Sequence, residues 1–310
     1  MQTFRLDEAI DLFLSVSRSK ALSPRTIEYY QERLLCFKMF LETTAPESDL
    51  TEVKPALVRQ FLTETLKKNS AATANHNRAV LFRMFKFLVR EGFVKKNPIE
   101  HVDKLREDRK IIKTLTPTEV DKLINACNPR TFAGLRDRAL MTLLYDTGLR
   151  ISEALTLTDK DINLTNQTIK VAGKGGKERL VPFGQSVRKM LSLYLSRRGM
   201  VEGTDLLFVN CYGGQLDRND VAHAMKRHAV RAGVQGDKAT PHKFRHSFAV
   251  QFLRNGGDVF SLQTILGHAT LEMTRRYVAL AQSDVENVHR RYSPADMSLN
   301  EVKTGRKRIK

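Results

Sequence analysis

Cysteine is scarce in this chain of 310 residues: Cys36, Cys127 and Cys211 are widely spaced and odd in number. That excludes a disulfide framework and a cysteine-built zinc site, and reads the three as buried thiols. No run approaches roughly eighteen consecutive apolar residues, so a membrane-spanning helix is not expected. The start, Met1-Gln2-Thr3-Phe4-Arg5-Leu6-Asp7, has no basic segment leading into an apolar one, so no signal peptide is expected and the expected location is cytoplasmic. Glycine and proline are few, 17 and 9, and hydrophobic residues reach 41%. A collagenous, low-complexity or wholly disordered chain is thereby excluded. Acidic side chains are short as well, 34 against 52 basic ones, for a net charge of +18. Folding gains nothing from such an excess, which is most simply explained by a polyanionic partner.

Two familiar chemistries are missing too. Gly173-Lys174-Gly175-Gly176-Lys177 suggests a phosphate loop, but the Walker pattern needs glycine where Val171 stands and serine or threonine where Glu178 stands. His242 and His246 have the spacing of a zinc pair, yet Lys243 holds the position of the glutamate that a zincin requires. No metal and no cofactor is therefore expected.

What is present is helical periodicity. From Leu6 to about Asn97 apolar residues recur at three and four positions, and Ser23-Pro24 marks a helix start as N-cap and first-turn proline. A later helix, from about Ala72 to Glu91-Gly92, carries Asn75, Asn77, Arg78, Arg83 and Lys86. These are donors of the kind that contact DNA phosphates and bases, or the polar side of a solvated helix. Asn97 to Leu115 is charged with little apolar period and reads as a linker. Thr116-Pro117-Thr118-Glu119 then opens a new helix with a capping box. Residues 1–110 hold 20 basic against 15 acidic side chains and the remainder 32 against 19, so the positive field lies mainly in the second half.

In that half, Gln167–Val171 and Glu178–Pro182 alternate around the glycine-rich turn and predict a hairpin. Everything else reads as short helices, near 118–127, 136–145, 150–157, 186–198, 219–232, 241–255, 258–266, 270–280 and 283–291. A phosphodiester approaching its pentacoordinate transition state gathers charge that planar, bidentate arginines neutralise well. Arg150 follows the turn Asp146-Thr147-Gly148-Leu149. Arg245 lies in the first turn of a helix opened by Thr240 and Pro241, with His242 three residues before it, where backbone N–H groups and the helix dipole favour an anion. The two arginines would clamp one phosphate.

Five segments in order carry a resemblance: Thr147-Gly-Leu-Arg-Ile-Ser-Glu-Ala-Leu155, Gly173-Lys-Gly-Gly-Lys-Glu-Arg-Leu-Val-Pro182, His242-Lys-Phe-Arg-His-Ser-Phe-Ala249, Leu266-Gly-His-Ala269, and Tyr277, nine residues after His268. In this arrangement the chain resembles the tyrosine recombinase (integrase) family, above all its Xer-type branch. The resemblance implies a mainly α protein: a helical, SAM-like core-binding domain (1–104), a linker (105–115), an α-rich catalytic domain with a small antiparallel sheet (116–292) and a basic tail (293–310), forming a C-shaped clamp around DNA.

It further implies that Tyr277 attacks the scissile phosphate to leave a 3′-phosphotyrosyl bond. That diester preserves the energy of the broken bond, so rejoining needs neither ATP nor metal. On this reading His242 accepts the phenol's proton and Lys174, with Lys177 as its rival, protonates the departing 5′-oxygen. His268 binds a phosphate oxygen, Glu153 orients Arg150, Lys177 and Arg179 extend the DNA-binding set, and His246 and Ser247 are structural. Residues 284–292 would form a helix donated to a neighbouring protomer, and Lys303–Lys310 a basic arm on phosphates. The implied function is site-specific exchange of DNA strands through a Holliday junction, by a homotetramer or with a second recombinase, on double-stranded sites at the nucleoid. The rivals are a type IB topoisomerase and a DNA-binding architectural protein that does not cut.

Overall fold

The computed structural model describes residues 5–46, 50–107, 113–173, 178–281, 289–290 and 292–296. The chain divides into two compact units, Met1–Lys110 and Ile111–Lys310. In the first, four helices, α1 (Leu6–Ser19), α2 (Pro24–Thr44), α3 (Pro55–Lys68) and α4 (Ala71–Arg90), surround one core. Ser23 caps α2 through the Thr26 N–H at 3.3 Å, with Pro24 in the first turn, as the sequence predicts. Leu34, Phe37, Val58, Val80, Met84, Phe85 and Leu88 are wholly buried. Phe37 meets Phe61 edge-on with centroids 5.1 Å apart.

Two expectations fail together here. Asn75 and Asn77 are buried, 5% and 2% exposed, and do not lie on a DNA-facing surface. The Asn75 amide donates to the Leu105 carbonyl (2.9 Å) and to Glu107 (2.6 Å), and its oxygen accepts the Leu105 N–H (2.8 Å). Asn77 donates to Thr65. Arg78 is half-buried and donates to the Val102 carbonyl at 2.6 Å. The stretch after Asn97, read as a linker, packs onto this unit instead: Ile99 and Val102 are buried in its core. Lacking regular structure, that segment has backbone groups that need partners, and the polar residues of α4 supply them. Arg83 and Lys86 remain exposed, with the Arg83 guanidinium 5.8 Å from the Tyr30 ring centroid.

The second unit begins with α5 (Pro117–Asn125), whose predicted capping box is present: Thr116 accepts the Glu119 N–H at 3.2 Å, and Glu119 accepts the Thr116 N–H at 2.8 Å. Then follow α6 (Phe132–Thr147), α7 (Ile151–Ala154), strands β1 (Ile162–Asn163), β2 (Thr168–Ala172) and β3 (Glu178–Pro182), and helices α8 (Gln185–Arg198), α9 (Arg218–Ala232), α10 (Pro241–Arg254), α11 (Val259–Leu266) and α12 (Glu272–Ala281). The strands form one antiparallel sheet in chain order, with Ile169 opposite Val181. β1 is too short for alternation to reveal it. Ile169, Val171 and Val181 turn into the core, while Lys170 and Glu178 pair outside it at 2.9 Å.

Helix α6 is central and packs against α8 and α10. Its buried Asp137 accepts from Arg136 (2.8 Å) and bonds the His228 ring of α9 (3.0 Å). Cys127 is buried, and burial followed by the Asp137 charge pushes its thiol up to about 12. Cys36 and Cys211 are exposed, contrary to expectation. Among the described residues no helix is long and apolar enough to cross a membrane.

The role of Asn75 is testable. Asn75→Ala leaves the Leu105 N–H and carbonyl unpaired, so about 1–3 kcal/mol of stability should be lost. Urea unfolding measures this, and unchanged stability with weakened DNA binding would restore Asn75 to the DNA-facing set.

Candidate active site

Two helix ends create the site. Helix α6 stops at Gly148, whose φ of 61° is left-handed, and α11 stops at Gly267, φ 62°. A Cβ at Gly148 would lie 2.3 Å from the Phe248 ring, which leaves no room for a side chain, and one at Gly267 would lie 3.1 Å from the Arg179 guanidinium, a tight contact added to the strain of the left-handed turn. The last carbonyls of a helix lack intrahelical donors and carry its negative end. Here arginines supply the donors. Arg245, on α10 and only 5% exposed, donates to the Gly148 carbonyl (2.6 Å) and the Leu266 carbonyl (2.8 Å). Arg179, on β3, donates to the Ile265 carbonyl at 3.0 Å.

Glu153 ties a third arginine to this frame. Its carboxylate accepts the Arg150 N–H (2.8 Å) and guanidinium (2.9 Å), and both terminal nitrogens of Arg179 (3.1 and 2.9 Å). Burial alone would raise its pKa, but hydrogen bonds from Arg179 and Arg150 outweigh that and hold it below the usual carboxylate range. Arg179 is therefore a structural cation: its side chain is 13% exposed and each of its guanidinium nitrogens is bonded to Ile265 or Glu153, which takes it out of the DNA-binding set. The Arg150 side chain is 38% exposed, and its remaining N–H groups have no partner among the described residues.

Helix α10 starts as predicted, with Thr240 accepting the Lys243 N–H (3.4 Å) ahead of Pro241. His242 is exposed in its first turn. Ser247 is structural: it accepts the Leu115 N–H and donates to the Lys243 carbonyl, each at 2.7 Å. His268 lies against Arg245, with Nε2 3.1 Å from Nη2. A guanidinium only donates, so Nε2 accepts and Nδ1–H donates to Thr274 at 2.9 Å. Both ring nitrogens are thus occupied within the protein, and neither is free to bind a phosphate oxygen in this arrangement.

Tyr277, on α12, is wholly buried among Phe248, Leu262 and Leu266, with the His268 ring nearly parallel to its own at 6.2 Å. The residue on its hydroxyl is His246, at 2.7 Å from Nδ1, and not His242. Arg276 donates to the same oxygen at 3.3 Å, and its guanidinium lies 5.1 Å from the ring centroid. Sequence reasoning dismissed His246. The signal available was its position four residues after His242 on one helix face, but only the packing of α12 on α10 decides which imidazole reaches the phenol. Lys174 and Lys177, the helix expected at 284–292 (described only at 289–290 and 292) and the basic arm lie outside the described residues.

The cluster is short of negative charge. Arg150, Arg179, Arg245 and Arg276 converge, and among the described residues Glu153 is the one carboxylate bonded to them. Burial, then Arg150, lowers Arg245 to about 10. No group of three or more histidine, cysteine, aspartate or glutamate side chains that could hold a metal forms among the described residues. Such a site favours binding of an anion that brings its own charge.

Residues 113–284 match the phage integrase family and residues 10–92 its N-terminal SAM-like domain. The chain belongs to that family, the tyrosine recombinases, whose members cleave and rejoin DNA, and it is of the Xer-like kind. It is 33% identical to the tyrosine recombinase XerC of Bacillus subtilis (strain 168) over 292 residues, 91% of this chain and 94% of that one. It is 32% identical to the tyrosine recombinase XerD of Yersinia pestis over 256 residues, 81% and 86% of the two chains. In fold it resembles the XerH site-specific recombinase in its post-cleavage complex with a palindromic difH substrate, with a TM-score of 0.74 at 23% identity over 94% of this chain and 85% of that one. A lambda integrase dimer bound to a COC' core site gives 0.73 at 20% identity over 88% and 76%. The function is site-specific recombination, which the two rival readings do not match.

The imidazoles predict a pH dependence. Burial first, then cations, lowers both from 6.5 to about 4: Arg276, Lys243, His242 and Arg245 act on His246, and Arg245, Arg150, Arg276 and Arg179 on His268. Between those values the unfolded chain takes up protons that the folded unit refuses, so their contribution to stability is full above 6.5 and declines as pH falls toward 4. The melting temperature should drop between about pH 7 and about pH 5, and drop less in His246→Asn. Equal drops in both proteins would show that this imidazole is not depressed.

Proposed function

We propose that this recombinase cuts one strand of a double-stranded recombination site with Tyr277, leaving a 3′-phosphotyrosyl bond and a free 5′-hydroxyl. The observation that carries this reading is the convergence of cationic side chains, short of carboxylates, on one buried phenol. A phosphodiester supplies the missing charge. Arg150, partly exposed with N–H groups to spare, and Arg245, held rigidly between two helix ends, receive the non-bridging oxygens. His242 stands exposed at the positive end of α10 and adds a donor to the phosphate. Glu153 and Arg179 keep Arg150 in place.

During attack the Tyr277 oxygen gives up its proton to His242, the exposed imidazole one helical turn before His246, and bonds to phosphorus while the bond to the 5′-oxygen breaks and Lys174 gives that oxygen its proton. Resealing reverses each step with a new 5′-hydroxyl as the nucleophile. Tyr277 is wholly buried, so its side chain has to be uncovered before it can react. Exchange of strands in pairs through a Holliday junction requires several active sites at once, and a homotetramer on two sites provides them. The similarity to XerC and XerD relatives, 33% and 32%, suits a second recombinase as partner equally well. The enzyme works in the cytoplasm, on DNA of the nucleoid. Of the α4 residues, Arg83 and Lys86 are the ones exposed to reach phosphates.

Mapping covalent protein–DNA adducts across the host genome would recover the site for assays. On a nicked duplex carrying it, Tyr277→Phe should bind normally and form no adduct, because only the nucleophilic oxygen is gone. An adduct formed by this variant would refute the assignment. Lys174→Ala should cleave poorly yet recover when sulfur replaces the 5′-bridging oxygen, since a thiolate leaves without a general acid. Rescue of Lys177→Ala instead would exchange the two lysines.

A further inference from the structure

We propose that His246 is a positioning residue for the nucleophile: its Nδ1 accepts the Tyr277 hydroxyl hydrogen bond and thereby sets where the phenol oxygen points. The inference rests on the reading of Tyr277 as nucleophile and goes beyond it, because it concerns what holds that oxygen rather than what it attacks.

The geometry is specific. The Nδ1 to Oη distance is 2.7 Å, the shortest polar contact of the tyrosine. Arg276 donates to the same oxygen at 3.3 Å, so the phenol's own hydrogen has one acceptor, the imidazole. The hydroxyl is thereby held between a donor from α12 and an acceptor from α10. The His246 ring also packs against the tyrosine, with centroids 5.6 Å apart, and His268 lies on the tyrosine ring at 6.2 Å. A phenol ring packed this way can still swing its oxygen about the side-chain torsions and turn its O–H, and a 2.7 Å bond to Nδ1 restrains both.

The charges around His246 decide between two ways it could act. The groups that face it are Arg276 from α12 and Lys243, Arg245 and His242 from its own helix, and none of them is acidic. Together with burial they keep the imidazole neutral, at about 4. A neutral imidazole in such surroundings is a dependable hydrogen-bond acceptor and a poor store for a proton taken from a phenol, whose own pKa is ~10. Orientation, rather than general-base catalysis, is the role that follows. Adjacency to Arg245 on the same helix then links the phosphate-holding arginine and the nucleophile-holding histidine in consecutive residues.

The test compares three variants on the nicked duplex used for Tyr277→Phe, at saturating DNA, reading the rate of adduct formation separately from affinity. His246→Asn places an amide oxygen near the position of Nδ1, keeps the acceptor and cannot take a proton. His246→Leu keeps bulk and loses the acceptor, and His246→Ala loses both. We expect His246→Asn within about fivefold of the parent and the other two slower by about 10- to 100-fold, the cost of a small misplacement of a reacting group, with DNA affinity and folding of the asparagine and leucine variants alike. If His246→Asn is as slow as His246→Leu and recovers as the pH is raised, His246 is a base and the proposal is overturned. If His246→Leu cleaves at the parental rate, the contact has no part in catalysis, and the proposal is overturned as well. An adduct on Tyr277→Phe would instead refute the nucleophile itself, an outcome distinct from either.

Discussion

A guanidinium buried to 5% exposure is tolerable only where its hydrogens find acceptors, and Arg245 finds them at the ends of two helices. The carbonyls of Gly148 and Leu266 belong to last turns that would otherwise be short of donors, so one side chain completes α6 and α11 together. Much else follows from that contact. Gly148 has to be glycine, because its left-handed turn brings the backbone against Phe248. His268, just beyond the α11 cap, comes to rest on Arg245, and Tyr277 packs beside His268. Arg245, for which we propose a phosphate-holding role, is thus also the pin that joins the ends of α6 and α11.

The electrostatic consequence is a site built with too little negative charge. Glu153 partners two arginines at once and is itself buried, so Arg150 stays oriented without being neutralised. In water such a cluster would gather counterions. Inside a partly desolvated pocket it favours a partner that brings its own fixed charge, as a DNA backbone does. Burial, aided by the same surplus, keeps His246 and His268 uncharged, and uncharged imidazoles can serve as acceptors toward Tyr277 and Arg245.

Much of this was legible from local rules. The capping box at Thr116, the N-cap at Thr240 and the proline starts at Pro24, Pro117 and Pro241 depend on residues within one turn, and the helices begin where those residues place them. The hairpin was legible because alternation spans both strands, whereas β1, with two residues, offered no period to read. Errors cluster where a polar side chain serves a distant backbone. Asn75 and Asn77 look like surface donors on α4 but are internal, Asn75 because residues after Asn97 fold back and need partners and Asn77 because it faces Thr65 of α3. Arg179 sits in a strand beside a basic turn and looks like a phosphate ligand, yet its acceptors are Glu153 and Ile265, far away in sequence.

By itself the sequence determined the class of protein, the β2–β3 hairpin and the starts of the capped helices, because propensity, capping and motif spacing are properties of short segments. Only the tertiary structure decided which histidine touches Tyr277 and which arginines are pinned inside or left open. Those assignments depend on α12 lying against α10 and on α11 ending beside β3. His242 and His246 differ in sequence by a single helical turn, and nothing local distinguishes a solvent-facing imidazole in the first turn from a half-buried one in the next. The packing partner makes that distinction, through the free energy of giving one ring a buried hydroxyl and leaving the other to water.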